Sequence, residues 1–399
     1  MAKKTLSMDQ LNELIECFES VKEPRVANRC KHRLIDVIAI AVIGTLCGAE
    51  GIRSIYEFAL MKEQWLRKYL ELPEGIPSED TVARILSIID SSELEKAFQN
   101  WVKIIADEKT KSISLDGKYT KGTDRTFNRG NKPLLIISAY SHELGLSLVE
   151  KEGPGGSEIE GTLACLEALD LKGVMVKVDA GIGCSRVIEK VREKKGDYLI
   201  PLKANQWFAR NEVADFIEKN KNSCDFFEAE EKGRGREERR ACHLLSAKKM
   251  SQKFKDQWSG VKSVFILTRE RIEDDKSYVI QETGKDGKQS YRLNDNDLKY
   301  SELIVAYISS RELSAEKALL EAREHWSIEN KVHWVLDVAF REDNCGVRAK
   351  ALARTLSLLR KAALNIVRRS KTKGSVRGRM QKAGWSNDFL DQLLFKEAF

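Results

Sequence analysis

The stretch from residue 112 to 206 leaves the fewest folds open. SISLDG (112–117), PLLIISAYS (133–141) and GLSLVE (145–150) are short apolar runs, parted first by a polar loop and then by a turn. SEIEGTLACLEALD (157–170) has helical spacing, VMVKVDA (174–180) is again strand-like, CSRVIEKVREK is a second helix, and DYLIPLKANQ (197–206) is a fifth strand. Three strands, then helix, strand, helix, strand, predict an α/β domain with a mixed sheet and helices on its faces. Ligand sites in such sheets lie off strand ends. The first and fourth strands read as ending in Asp116 and Asp179. Any one such aspartate is ordinarily a turn residue.

The flanks have different patterns. Residues 1–108 read as helical: DQLNELIECFESV has apolar residues at helical spacing, and LIDVIAIAVIGTLCGA (34–49) follows. That apolar run is too short to span a bilayer and carries Asp36, so it reads as a buried helix. GIPSEDTVARILSIID opens on Ser78, with Glu79 and Asp80 where the positive end of a helix dipole favours anions. From 221 to 305 the pattern suggests a β-rich insertion. EEKGRGREERR reads as a charged loop or edge, SVFILTRERI and SYVIQET as strands, and GKDGKQSYRLNDNDLKYSE as turns. ELIVAYISS (302–310) resumes as a strand, and one long helix is expected from about 314 to 341.

Charge is unevenly placed. The net charge is +7, yet residues 344–382 hold 12 Lys or Arg and no acid, so the remainder is slightly acidic. Such a local field suits a polyanion, although a solvated basic helix has the same composition. The eight cysteines form no C-x-x-C pair, which argues against a zinc ribbon or dithiol site. With no secretory signal at the start, reduced thiols in a cytosol are expected.

On a helix, His325, Glu329, His333 and Asp337 would form a polar stripe at successive i, i+4 positions, with Trp326, Val332, Leu336 and Phe340 packing inward. The Glu-x-x-x-His spacing fits neither a di-iron bundle nor an H-E-x-x-H zinc site. Glu329 taken with the two aspartates gives three hard carboxylates, a set suited to Mg2+ or Mn2+. Two such ions serve phosphoryl transfer. Lys118, Lys121, Arg125, Arg129 and Lys132 follow Asp116, and Lys203, Asn205 and Gln206 stand beyond the fifth strand, placed to meet phosphate or a base edge.

These motifs together resemble the H-repeat-associated insertion-sequence transposases, a DDE family with a ribonuclease H-like catalytic domain. LDGK (115–118) resembles the family's first-aspartate motif, VDA (178–180) its second, DYLIPLKANQ the segment that follows, and GREERR (235–240) its G-R-x-E-x-R element. HWSIENKVHWVLDVAFRED (325–343) is the most specific piece, and GIPSEDTVARIL is similar to the N-terminal associated region. The chain departs from the pattern at GGSEI, at DAGIGCS and at Arg234, and Ala322, His325 and Leu336 stand where hairpin-forming relatives carry Tyr, Arg and Lys.

The resemblance implies Asp116, Asp179 and Glu329 as an acidic triad holding two Mg2+ or Mn2+ ions. Lys118, Lys121, Lys203, Asn205, Gln206, Arg236 and Arg240 would contact DNA, with His325, Asn330 and His333 supporting the ligands. It implies a helical DNA-end-binding region at 1–108 and a ribonuclease H-like core at 109–220 and 306–375. The β-rich insertion at 221–305 interrupts that core, and a tail follows at 376–399. The expected partners are terminal inverted repeats and target DNA, bound by a homodimer in the bacterial cytoplasm, with no membrane. A decayed DNA-binding protein, or a nuclease without strand transfer, would carry the same residues.

Overall fold

The computed structural model describes residues 10–106 except 27 and 29, and then 109–125, 132–233, 236–273, 300–325 and 327–395. The chain divides into two compact units, residues up to 170 together with those from 327 onward, and residues 171–326.

The first unit begins with helices α1 (Gln10–Phe18), α2 (Leu34–Leu46), α3 (Ile52–Met61), α4 (Glu63–Leu66), α5 (Glu79–Ile88) and α6 (Ser91–Ile105). The expected start signal at Ser78 is realised: its side chain accepts the Thr81 N–H at 3.3 Å and caps α5. Every residue of α2 is buried. Its Asp36 accepts the backbone N–H of Leu72 at 3.1 Å, and burial raises its pKa. Strands β1 (Ser112–Thr120), β2 (Leu134–Ser141) and β3 (Ser147–Glu152) follow as an antiparallel ladder, and helix α7 (Glu158–Glu167) packs on them.

The second unit runs β4 (Met175–Val178), α8 (Ser185–Glu193), β5 (Asp197–Leu202), α9 (Trp207–Lys219), β6 (Asp225–Gly233), β7 (Arg236–Ser246), α10 (Gln252–Gln257), β8 (Ser263–Glu273), β9 (Tyr300–Ser309) and α11 (Ala315–His325). Its strands lie in the order β4-β5-β9-β8-β7-β6, with β4 and β5 parallel and the rest antiparallel. The α/β class and the mixed sheet are therefore as expected. Ala315, Ala318, Leu319 and Ala322 of α11 join Met175, Leu199, Phe265 and Tyr307 in its core.

The run read as a charged loop or edge is a hairpin, β6–β7, and β6 is the outermost strand of the sheet. Opposite charges meet across it, Glu228 with Arg239 at 2.9 Å and Glu231 with Arg240 at 2.8 Å, so the charges support pairing instead of opposing it. SYVIQET and the turn-rich segment after it lie, up to 299, outside the described residues; the last three residues of that segment, 300–302, open β9 instead of a turn.

The chain then re-enters the first unit as a π-helical turn (Glu329–His333), α12 (Trp334–Val338), α13 (Lys350–Arg369), α14 (Val376–Trp385) and α15 (Asn387–Phe395). Helix α13 corrects part of the reading of the basic run. It lies at the centre of its unit, packed against α2, α5, α6 and β3. Its cations turn inward to acids far away in sequence. Arg354 meets Glu95 at 2.5 Å and Glu152 at 2.9 Å, Lys361 pairs with Glu150, and Arg368 lies over the Tyr140 ring. Asn365 donates to the Ser147 carbonyl and accepts its N–H, extending the edge of β3. A charge inside a protein must be paired, so Arg354 and Lys361 belong to internal structure, whereas Arg348, Lys350, Lys371, Lys373, Arg377 and Lys382 of the same run are exposed.

Lys361→Met should therefore lower the stability of the folded chain by about 3–5 kcal/mol, the cost of leaving Glu150 buried without its partner. Urea unfolding measures it, and adding Glu150→Leu should restore most of the loss.

Candidate active site

Asp116 is the first of the predicted acids. It lies inside β1 and not at its end, because the strand continues to Thr120. One carboxylate oxygen accepts the Gly117 N–H at 2.8 Å, and the other lies 3.3 Å from Nδ1 of His333. A side chain at Gly117 would press on Ile137 at 2.9 Å, which accounts for glycine between Asp116 and Lys118.

Lys118 comes up two residues later on the same strand face. Its ammonium is ringed by carboxylates: Asp337, Glu342 at 2.9 Å and Asp343 at 3.4 Å. Lys121 adds a second pair to Asp343 at 2.5 Å. Burial alone would raise the pKa of Glu342, but the charges of Lys118, Arg360 and Lys361 prevail and hold it down to about 2. Burial, aided by the like charges of Asp343 and Glu342, raises that of Asp337 in spite of Lys118. Gly122 lets this segment approach, since a Cβ there would lie 2.4 Å from the Cys345 carbonyl oxygen. Glu342 and Asp343 carry no role in the sequence reading; the available signal is their place in HWSIENKVHWVLDVAFRED, the most specific piece of the resemblance.

The helical segment expected from about 314 to 341 is described over Ala315–His325 and over 327–338, with a π turn inside the second stretch. Between α11 and α12 the Trp334 N–H bonds to the Glu329 carbonyl, an i to i+5 step that inserts one extra residue per turn. The apolar stripe persists, with Ile328, Val332, Leu336 and Phe340 all buried. The polar stripe does not stay on one line: Glu329 and Asn330 are exposed, whereas the His333 side chain is 14% exposed and lies against Asp116. Trp326 lies outside the described residues.

In the second unit Asp179 directly follows β4, as expected. Lys203 pairs with it at 2.7 Å. Burial works to raise the pKa of Asp179, but the hydrogen bond and charge of Lys203 outweigh it, with smaller help from the Ala180 backbone and His325, and keep it low. Asn205 and Gln206 donate to the Ala180 carbonyl at 2.9 Å each, and Gln206 also to that of Gly183 at 3.1 Å, so these amides brace the turn that carries Asp179. Two residues before Asp179, the fully buried Lys177 meets Glu321 and Glu324 of α11 at 2.6 Å each. Arg240 is engaged by Glu231 and Glu238. Arg236 opens β7, and its side chain lies outside the described residues, as do Arg129 and the side chain of Arg125.

The three acids present only hard carboxylate oxygen, and each is reached by solvent. That chemistry fits Mg2+ or Mn2+. Among the described residues no group of three His, Cys, Asp or Glu side chains is arranged to hold a metal ion. The eight cysteines are unpaired, and no described helix is long and apolar enough to cross a membrane.

Residues 84–366 match the model of the transposase DDE domain, and residues 15–102 match the DDE transposase-associated region. The H repeat-associated putative transposase YhhI of Escherichia coli is 30% identical over 394 residues, covering 96% of this chain and 98% of its own length. The putative transposase YncI of the same species is 30% identical, covering 96% of this chain and 95% of its own length. A solved piggyBac transposase synaptic complex with hairpin DNA is similar at a TM-score of 0.44 and 10% identity, covering 98% of this chain and 82% of that one. That likeness is too remote to bear on function.

Glu342 sets an acid limit on the first unit. Its carboxyl titrates near 2 when folded against an ordinary 4.5, so its stabilising contribution is complete above about pH 4.5 and is lost as pH falls toward 2. Urea midpoints measured from pH 5 to pH 2.5 should fall across that window, and Glu342→Gln should flatten the fall.

Proposed function

We propose that this chain, which belongs to the DDE transposase family, cuts DNA at the terminal inverted repeats of an insertion sequence and joins the freed ends to target DNA through Asp116, Asp179 and Glu329. The observation that best supports this reading is the environment of the two aspartates. Asp116 lies within a sheet strand and Asp179 directly after one, each with an exposed edge of carboxylate, a histidine close by, and a lysine two residues away along the chain that is itself held by acids.

Mg2+ or Mn2+ bound by these carboxylates would polarise the scissile phosphate and lower the pKa of the attacking oxygen. The chain's own part is positional. His333 keeps one oxygen of Asp116 in a fixed direction, leaving the carboxylate edge outward. Lys203 neutralises Asp179 in the chain as it stands, and with a divalent cation held by that carboxylate its ammonium would be available to a DNA phosphate. Lys121, with a side chain 71% exposed, is suited to the same backbone. Lys118, Asn205, Gln206 and Arg240 hold the architecture from which those contacts are made, and Arg236 is assigned to the DNA-facing hairpin. His325 and Asn330 frame the glutamate.

In the first step a water oxygen bonds to phosphorus as the bridging P–O bond breaks, which leaves a 3′-hydroxyl. In the second step that hydroxyl attacks the target phosphodiester in the same way. Two element ends must be held together, so a homodimer formed on DNA is the assembly we assign, acting on DNA in the bacterial cytoplasm.

Asp116→Ala, Asp179→Ala and Glu329→Ala should each abolish Mg2+-dependent cleavage of duplexes carrying the DNA that flanks the gene, while gel-shift binding stays within a few-fold. Undiminished cleavage by any one variant removes that residue from the triad. Binding without cleavage by the unaltered chain would mark a decayed DNA-binding protein, and cleavage without joining would mark a nuclease. Lys203→Ala should strengthen Mn2+ binding in the absence of DNA and weaken DNA affinity, with a shallower salt dependence.

A further inference from the structure

His142 and Lys118, neither of which is a ligand in the triad reading, contact the two ends of the segment that carries Glu329. His142 stands one residue beyond β2, with its ring edge-on to Tyr140. Its Nε2 is 2.8 Å from the hydroxyl of Ser114, and its Nδ1 is 2.9 Å from the hydroxyl of Ser327. Ser hydroxyls donate or accept, so either imidazole tautomer satisfies both bonds. Ser114, Asp116 and Lys118 alternate along β1 and therefore share one face.

That face meets the returning chain at three successive places. Ser114 reaches Ser327 through His142, Asp116 reaches His333, and Lys118 reaches Asp337 and then Glu342. The contacts rise in order along both partners, so the glutamate segment runs beside β1 in the same direction. Lengths agree as well. Four strand residues span about 13 Å, and the ten residues from 327 to 337 span roughly 15 Å of helix. Glu329 falls between the first and second anchors. Its height along β1 is thus set by the outer two anchors, which leave the carboxylates of Asp116 and Glu329 themselves uninvolved.

We propose that His142 and Lys118 are positioning residues: the Ser114–His142–Ser327 bridge and the Lys118 carboxylate cluster fasten the glutamate segment at both ends and fix Glu329 in register with Asp116. The proposal deepens the triad reading and rests on it for its consequence in catalysis. The fastening itself is a separate physical claim.

Two measurements on the full-length chain separate them. Hydrogen exchange reads the fastening without metal. In His142→Ala, and in Ser327→Ala, which deletes only a hydroxyl, the amides of 327–338 should exchange at least ten-fold faster while those of α2 and α13 keep their protection. Unchanged exchange at 327–338 in both variants overturns the proposal. Iron-directed scission reads the register: with Fe2+ and ascorbate the unaltered chain should be cut near both 116 and 329, and the His142 and Ser327 variants should keep the first cut and lose most of the second. The Mg2+ needed for half-maximal cleavage of flanking-sequence duplexes should rise several-fold with little change in KM for DNA. Lys118→Arg should retain both cuts, and Lys118→Met should lose the one near 329. Variants that exchange faster but still show both cuts would reduce His142 to general structural support and refute its positioning role. If the unaltered chain is cut at neither place, the metal reading fails, and the exchange result still decides the fastening.

Discussion

The ammonium of Lys118 is the point on which the candidate site of the first unit depends. It lies among Asp337, Glu342 and Asp343, with Lys121 the only other described cation paired to that group apart from Arg360. Removing it would leave three carboxylates crowded in a partly buried place, where like charges repel strongly and water is too scarce to screen them. These contacts join positions 219 and 224 residues apart in sequence. Because Lys118 shares a strand face with Asp116, the interaction that closes the chain on itself also determines what the aspartate faces. Structure and chemistry are coupled there through a spacing of two residues.

Local signals made much of the fold legible. The alternation of strands and helices from 112 to 206, the Ser78 cap, the buried α2 and the emergence of Asp179 from β4 all follow from patterns a few residues long. Asp116 was misplaced because Gly117 looks like a strand breaker. In fact it is the residue small enough to pass Ile137 while the strand continues. The π turn was invisible because a period of four apolar positions, 328, 332, 336 and 340, fits either helix type. Of the candidate site, the sequence identified the acids and their neighbours by type. It could not say which histidine attends which acid, since that depends on strand and helix faces brought together by the whole chain.

Charge was the least legible property. The cations of α13 looked free because their partners, Glu95, Glu150 and Glu152, lie more than 200 residues upstream. The charged run across β6 and β7 read as a loop or an edge because composition carries no register. Across the hairpin Arg239 finds Glu228 and Arg240 finds Glu231, although Glu231 itself stands opposite Glu238 in the register. A count of charges along a chain describes its surface only when the charges are on the surface, and here much of the basic excess is spent inside.

The first unit is interrupted in sequence, and this bears on how the protein is made. Helix α2 buries all its residues and packs against α13, yet it leaves the ribosome about 300 residues earlier. At roughly 5–20 residues per second, the interval is about 15–60 s. Throughout it the nascent chain carries a largely apolar helix whose main cover, α13, has not yet been synthesised, although α1, α3 and α5 are at hand, while the intervening unit has time to fold. Holding that helix out of aggregation during synthesis is a demand on the cell's chaperones that the finished molecule no longer displays.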